Sequence, residues 1–382
     1  MQFSHSNDLS FGMELEFQIV SGKTGLLSPS SLAFWDTLKQ REDAARFSLE
    51  ATLSTIELNT SVHTDADAML AETVDLTKAL TNIATPNNLL IRGGGTQLTQ
   101  FWNERVVAPT ARAELLVQKF GFLPKRFSTY GMHVHVGASS ANNAILMGNG
   151  LQALVPLFIA VSAASPFLQM SDTGFCASRP LEPLIYPYGG PMPRFKDWSE
   201  FVAVANDMFS TKLATSLKDV YWDVRPKPEF GTIEVRVFDT PLSVYKAVAL
   251  AAFTRASASL LLQGRLVLPQ GPSHPTAERV SRFLACRDGL GADLFNPFSQ
   301  TWLPAREWLD QLCETIASDP SGSASDLHHI SALHQHGLQV QDCQIMRDAW
   351  TRFEVPSKPD PNVPLADYSS MLSARLLSPI AA

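Results

Sequence analysis

Cysteine is scarce in this chain, and its four copies (Cys176, Cys286, Cys313 and Cys343) include no C-x-x-C pair. That argues against a zinc knuckle and a disulfide scaffold, and it predicts reduced, cytosolic thiols. Basic residues are not in excess: 30 Lys and Arg stand against 37 Asp and Glu, a net charge of −7. A nucleic-acid partner is therefore not expected. The opening Met-Gln-Phe-Ser-His-Ser has neither the basic nor the apolar part of a secretory leader. Long uninterrupted hydrophobic runs are missing too. Leu151 to Ala164 contains Gln152 and Pro156 and reads as too short to span a bilayer, while Ala247 to Leu262 is broken by Arg255. These absences predict a soluble, cytoplasmic protein. Internal repeats and low-complexity tracts are also lacking. The remainder is ordinarily globular, 45% hydrophobic and 18% charged over 382 residues, a length that suits a large one-domain enzyme.

Four segments place a chemically capable side chain two residues from a second polar one, between large apolar neighbours. They are Phe-Gly-Met-Glu14-Leu-Glu16-Phe, Ile-Glu57-Leu-Asn59-Thr, Met-His133-Val-His135-Val-Gly and Ile-Glu234-Val-Arg236-Val. On a β-strand, residues i and i+2 share a face. Each pair therefore points one way, while Met13, Leu15, Phe17, Ile56, Leu58, Val134 and Val235 point the other, where helices can cover them. Four such strands suggest one sheet with an acidic, His-bearing side. Carboxylates do not crowd together without counter-charge, and divalent cations supply it most simply.

Along the chain, strands are predicted at 11–20, in two pieces over 47–62, at 89–91, 132–137, 219–225 and 231–238. Helices are predicted after Ser28-Pro29-Ser30, from Asp65 to about Ile83, and over 111–120, 142–164, 198–209 and 243–262. The segment 171–197 lacks regular pattern, with seven Pro or Gly residues from Pro180 to Pro193, and so reads as a functional loop. Beyond 265 the pattern is helical (275–287, 303–317, 325–335, 341–352), followed by a tail from Pro356 expected to be extended on the surface. Strands and helices intermingle without strict alternation, which favours α+β with an antiparallel sheet. The expected organisation is a catalytic core over 1–265 and a helical C-terminal extension over 266–382 packed on the same domain.

Carboxylates with one or two imidazoles suit Mg²⁺ or Mn²⁺ better than zinc, and such ions commonly bridge phosphate oxygens in phosphoryl transfer. His133 and His135 on one face have ligand geometry. Glu234 would hold metal, and Arg236 would neutralise charge on a transferring phosphoryl group, the plain alternative being a structural salt bridge. Three other motifs carry less. Asp172-Thr173-Gly174 lacks the preceding apolar strand of an aspartic protease, and Gly93-Gly94-Gly95 lacks the ending of a P-loop and reads as a turn. His328, His329, His334 and His336 read as solvated positions on an amphipathic helix.

Taken in order, these four strand motifs resemble the type 2 glutamate–cysteine ligase family, bacterial carboxylate–amine ligases with a glutamine-synthetase-like fold. Further matches are Ser165-Pro166-Phe167, Asp172-Thr173-Gly174-Phe175 with Ser178-Arg179, Gly190-Pro191 with Phe195, and Trp222-Asp223-Val224-Arg225-Pro226. The resemblance implies a curved antiparallel sheet with helices on its outer face, holding ATP and Mg²⁺ or Mn²⁺. It implies an acid whose carboxylate takes the γ-phosphate and an amine that displaces phosphate, with glutamate as the acid and cysteine or another amine as acceptor. By matching positions, Glu14, Glu16, Glu57, His133 and Glu234 are expected metal ligands. Arg236 and Glu57 are expected to be catalytic, and His135, Asn59, Arg179 and Arg112 to bind substrate. The chain departs from the family at Met13, at Gly95-Thr96-Gln97-Leu98 and at Ala113, positions that bear on substrate choice. A phosphotransferase on the same sheet and an inactive metal-binding homologue are the alternatives. Small-molecule substrates are expected as partners, and homo-oligomerisation is left open.

Overall fold

A computed structural model describes residues 1–98, 100–126, 129–270, 273–355 and 365–380. Its centre is a seven-stranded sheet built from β1 (Phe11–Ser21), β2 (Phe47–Leu49), β3 (Thr55–Asn59), β4 (Leu89–Arg92), β5 (Gly131–Gly137), β6 (Val224–Lys227) and β7 (Thr232–Asp239). The order is β6-β7-β5-β1-β3-β2, with β4 pairing the far half of β1, and every pairing is antiparallel. β1 is central because its apolar residues alternate without a break: Met13, Leu15, Phe17 and Ile19 are all buried. Helices α1 (Ala66–Ala84), α2 (Ala141–Ser162) and α3 (Val244–Leu262) cover that apolar face. Each begins where a side chain takes an otherwise unpaired backbone donor: Asp65 accepts from Ala68 N at 2.9 Å, Ser140 from Asn143 N at 3.1 Å and Ser243 from Tyr245 N at 3.2 Å. The α+β architecture is the one the sequence implies.

Several expectations change. Helix α2 has 22 residues, long and apolar enough to cross a membrane, so length does not settle its place; 83% of its most apolar window is buried in the protein core. Pro226 lies within β6 and not between strands. It is tolerated because β6 is the edge of the sheet, where a missing N–H breaks no ladder.

The region beyond 265 is not purely helical, since Asp293–Asn296 and Thr301–Pro304 form a hairpin. The expected extended tail falls at 356–364 outside the described residues. Immediately after it, Leu365–Ala374 is a helix whose Leu365, Tyr368 and Leu372 are buried, an i, i+3, i+7 stripe that resumes once the prolines end. His329 is not solvated: it is buried and shares a 2.8 Å hydrogen bond with Asp67, which tethers its helix to α1.

Candidate active site

The polar face of the sheet assembles by register. Glu14 on β1 sits opposite Asn59 on one side and His133 on the other, Glu16 sits opposite Glu57, and His135 sits opposite Glu234. All four sequence pairs therefore meet on adjacent strands. Among the described residues, two groups could each hold a cation: Glu14, His135 and Glu234, and Glu16, Glu50 and Glu57, with the donor atoms of each group within 4.8 Å of one another. Oxygen dominates both sets, a hard donor chemistry that fits Mg²⁺ or Mn²⁺.

The two groups differ in charge compensation. His133 Nδ1 lies 2.7 Å from Glu14 Oε2 and His135 Nε2 lies 3.1 Å from Glu14 Oε1. Burial pushes the Glu14 carboxyl up, but the two imidazoles more than offset it and hold it well below the usual carboxylate range. Glu234 is also held low against its burial, by Arg225 and Arg236. In the second group burial dominates and the carboxylates repel. Glu57 is raised by burial and by Glu14 and Glu16, and Glu50 is raised well above its ordinary value by burial, Glu57 and Glu16. Glu16 is raised by burial although Arg179 and the Gly131 N–H, at 2.6 Å from Oε2, pull the other way. A carboxylate trio with that balance is the kind of site a cation stabilises.

Two cavities open on either side of these groups. The first, of about 370 Å³, is lined by Glu16, Glu50, His133, Arg112, Arg179, Arg236 and Tyr221. The second, of about 390 Å³, is lined by Glu14, His135, Asn59, Arg46, Phe230 and Thr232. The four residues expected to bind substrate are thus divided. Arg179 and Arg112 face the first cavity, His135 and Asn59 the second.

His135 also joins Glu14 and Glu234 in a cation-capable group, whereas His133 touches the same two carboxylates at 2.7 and 3.8 Å. Asn59 donates to Ser48 Oγ at 2.7 Å and to Glu57 Oε1 at 3.0 Å, so it also steadies Glu57.

Arg236 stands at a register shift in β7, between the pairings of Val235 and Phe238 with β5. Such a bulge re-aims a side chain. Here Arg236 reaches Glu234 while its backbone N–H turns to Asp223 O at 2.8 Å. Arg179 is nearly buried and donates from Nη2 to Arg236 O at 3.1 Å. It can lie over the sheet only because residue 131 is glycine: a Cβ there would stand 1.9 Å from its Nη2. Arg112 is half exposed, paired with Asp219 at 2.6 Å and bonded to Lys218 O at 3.1 Å.

Two participants were not anticipated. Glu50 lies just past β2, and its signal is the run Phe47-Ser48-Leu49-Glu50, which alternates apolar and polar toward Glu57. Arg225 pairs with Glu234 across β6 and β7.

The model of Glutamate-cysteine ligase family 2 matches residues 10–355. A relative named "Putative glutamate--cysteine ligase 2" from Janthinobacterium sp. (strain Marseille) is 38% identical over 317 residues, covering 83% of this chain and 85% of its own length. Its namesake in Cupriavidus metallidurans is 35% identical over 333 residues, covering 87% and 89%. Among solved structures, the glutamate–cysteine ligase of Francisella tularensis in complex with AMP superposes with a TM-score of 0.66 at 14% identity, covering 99% of this chain and 90% of that one. A bifunctional glutathione synthetase from Pasteurella multocida gives 0.62 at 14% identity, covering 96% and 52%. At that identity the likeness speaks for the fold. The family and its close relatives speak for the chemistry: the chain belongs to glutamate–cysteine ligase family 2 and is a carboxylate–amine ligase.

Proposed function

We propose that this ligase is ATP-dependent and joins glutamate to cysteine or another amine through an acyl phosphate. The observation that carries the reading is the pair of cavities flanking one acidic sheet face. The second cavity, with Phe230 and His135 at its side, would take the nucleotide, as the Francisella tularensis enzyme takes AMP. The first, with Arg179 and Arg112, would take the acid, because a guanidinium fork suits a carboxylate. Glu14, Glu16, Glu57, Glu234 and a histidine, with Glu50 added, would hold Mg²⁺ or Mn²⁺, which supplies charge neutralisation to the phosphates.

The steps then follow. An acid carboxylate oxygen attacks the γ-phosphorus and ADP leaves. The neutral amine attacks the acyl carbon, phosphate leaves and the amine proton is lost to solvent or a carboxylate. Arg236, beside Glu234 and open to the first cavity, would meet the charge that develops on the transferring group. A cytoplasmic setting, where ATP and free amino acids are available, accords with this. The test is ADP release over a matrix of amino acids and amines with Mg²⁺ or Mn²⁺, with mass spectrometry of the products. An amide formed with one ADP supports the proposal. A stable phosphorylated product would make the chain a phosphotransferase, and no turnover with any pair would count against catalysis.

A further inference from the structure

A third cavity, of about 290 Å³, contains no residue of the sheet. Its apolar wall is made by Val155 and Pro156 of α2 together with Pro191, Met192 and Pro193. Proline carries no N–H, so this wall offers a ligand apolar surface and few backbone donors. Gln152 gives its side-chain oxygen to the Met192 N–H at 2.9 Å. Charge at the cavity comes from Arg194, Glu278, Arg279 and Arg282. Arg194 and Glu278 pair with each other at 2.6 Å. Arg279 has no carboxylate partner among the described residues, which leaves the cavity one positive charge in surplus.

Arg282 ties this cavity to the first. It is buried, and donates from Nε to Asp223 Oδ2 and from Nη2 to Asp223 Oδ1, both at 2.9 Å, and from Nη2 to Pro180 O at 2.8 Å. Asp223 and Pro180 both line the first cavity. The backbone of Asp223 is fixed on two sides: its carbonyl accepts the Arg236 N–H at 2.8 Å, and its N–H donates to Gly190 O at 2.8 Å, next to Pro191. Among the described residues Arg282 Nη1 has no hydrogen-bond partner, so that nitrogen remains for a ligand.

We infer that this cavity binds a monocarboxylate with a short aliphatic body, and that its occupancy is felt at the Arg179 wall of the first cavity. The aliphatic part lies against Val155, Pro156, Pro191 and Met192, and the carboxylate meets Arg279 and Arg282 Nη1. One surplus positive charge balances a monoanion. A phosphate ester fits worse, because the apolar wall would leave its further charged oxygens without donors. With its other two nitrogens on Asp223 and Pro180, Arg282 passes a pull on Nη1 to the residues beside Arg236 and Arg179. The two cavities are therefore linked sites.

Calorimetry with hexanoate on the full chain tests the site, with hexanamide as the neutral control of the same shape. Hexanoate should bind with a Kd of ~1 mM or tighter. Hexanamide should bind at least ~10-fold more weakly, the scale of hydrogen bonds to a charged group. Arg279→Gln, at an exposed position, should weaken hexanoate at least ~3-fold. Ala153→Leu, which fills the cavity, should abolish binding, with circular dichroism verifying both folds.

Hydrogen exchange followed by mass spectrometry tests the link, and needs no turnover. Hexanoate should slow exchange in peptides covering 178–186 and 219–225 of the wild-type chain. No saturable binding, equal binding of hexanamide, or an affinity lowered by Arg179→Gln but not by Arg279→Gln would overturn the site. Binding that leaves exchange at 178–186 unchanged would overturn the link to the first cavity.

Discussion

Arg225 grips both carboxylate oxygens of Glu234 across β6 and β7: Nε lies 2.9 Å from Oε2, and Nη2 lies 2.7 Å from Oε2 and 3.1 Å from Oε1. Both side chains are almost wholly buried. Glu234 is thus held from behind by one arginine while Arg236 and the two histidines approach its Oε1 from the site. Arg225 also donates to Leu217 O at 2.9 Å and Val220 O at 2.8 Å, which fixes the loop before β6.

That arrangement makes Arg225 a structural requirement of the site. Replacing it with Met leaves a buried carboxylate short of one partner, the situation in which broken buried pairs cost about 3–5 kcal/mol. Urea unfolding of Arg225→Met should show a loss of that order. A loss under about 1 kcal/mol would mean that Arg236 and the histidines compensate Glu234 unaided.

Nucleotide binding should require a divalent ion. Glu14, Glu16, Glu50, Glu57 and Glu234 share one face, and phosphates brought against them alone would meet like charge. Calorimetry with ATP in Mg²⁺ should give binding that EDTA weakens at least ~10-fold. Glu50→Gln and Glu57→Gln should each weaken it with the fold intact. Equal affinity in EDTA would rule out this use of the carboxylates.

Much of this was legible in the sequence, for a physical reason. The period of two puts Glu14 with Glu16 and His133 with His135 on one face whatever the rest of the chain does, and Leu15 or Val134 on the other. Glu50 escaped because β2 ends at Leu49, so its partner was visible only once β2 paired β3 and Ser48 fell opposite Glu57. The hairpin at 293–304 escaped because its turn relies on Gln300 at φ 58°, where glycine is the usual marker. The division of Arg179 and Arg112 from His135 and Asn59 was not legible because it runs along the strands: Glu16 and Glu14 on β1, and His133 and His135 on β5, line different cavities although each pair shares a face.

Arg236 should matter to the transition state more than to binding. Lysine retains the charge but not the planar fork. Arg236→Lys is expected to lower kcat by ~10²-fold, the scale of a single charge-stabilising donor, with little change in KM for ATP. Steady-state ADP release, with circular dichroism to verify the fold, measures both. An unchanged kcat with a raised KM would assign Arg236 to ground-state binding.

Asp219 gives a pH-dependent prediction. Its carboxyl is buried, which raises it, but the Thr215 N–H and hydroxyl and the Arg112 guanidinium more than offset this and bring it to about 2 from an ordinary 3.8. A carboxyl lowered on folding adds stability above its unfolded value, and that stability is lost as pH falls through the folded one. The shift corresponds to on the order of 2 kcal/mol at neutral pH. Asp219→Asn should therefore be less stable than wild type at pH 7, with a gap that narrows between pH 5 and pH 3. A gap that stays constant over that range would show that Asp219 acts through hydrogen-bond geometry alone.

The acyl phosphate is the claim on which the ligase reading stands, and oxygen transfer tests it most directly. Glutamate labelled with ¹⁸O in its carboxylates is turned over with ATP, Mg²⁺ and the best amine, and the released phosphate is weighed by mass spectrometry. Attack of the acid on the γ-phosphate followed by amine displacement predicts one labelled oxygen in each phosphate formed. Unlabelled phosphate alongside amide product would contradict the mechanism.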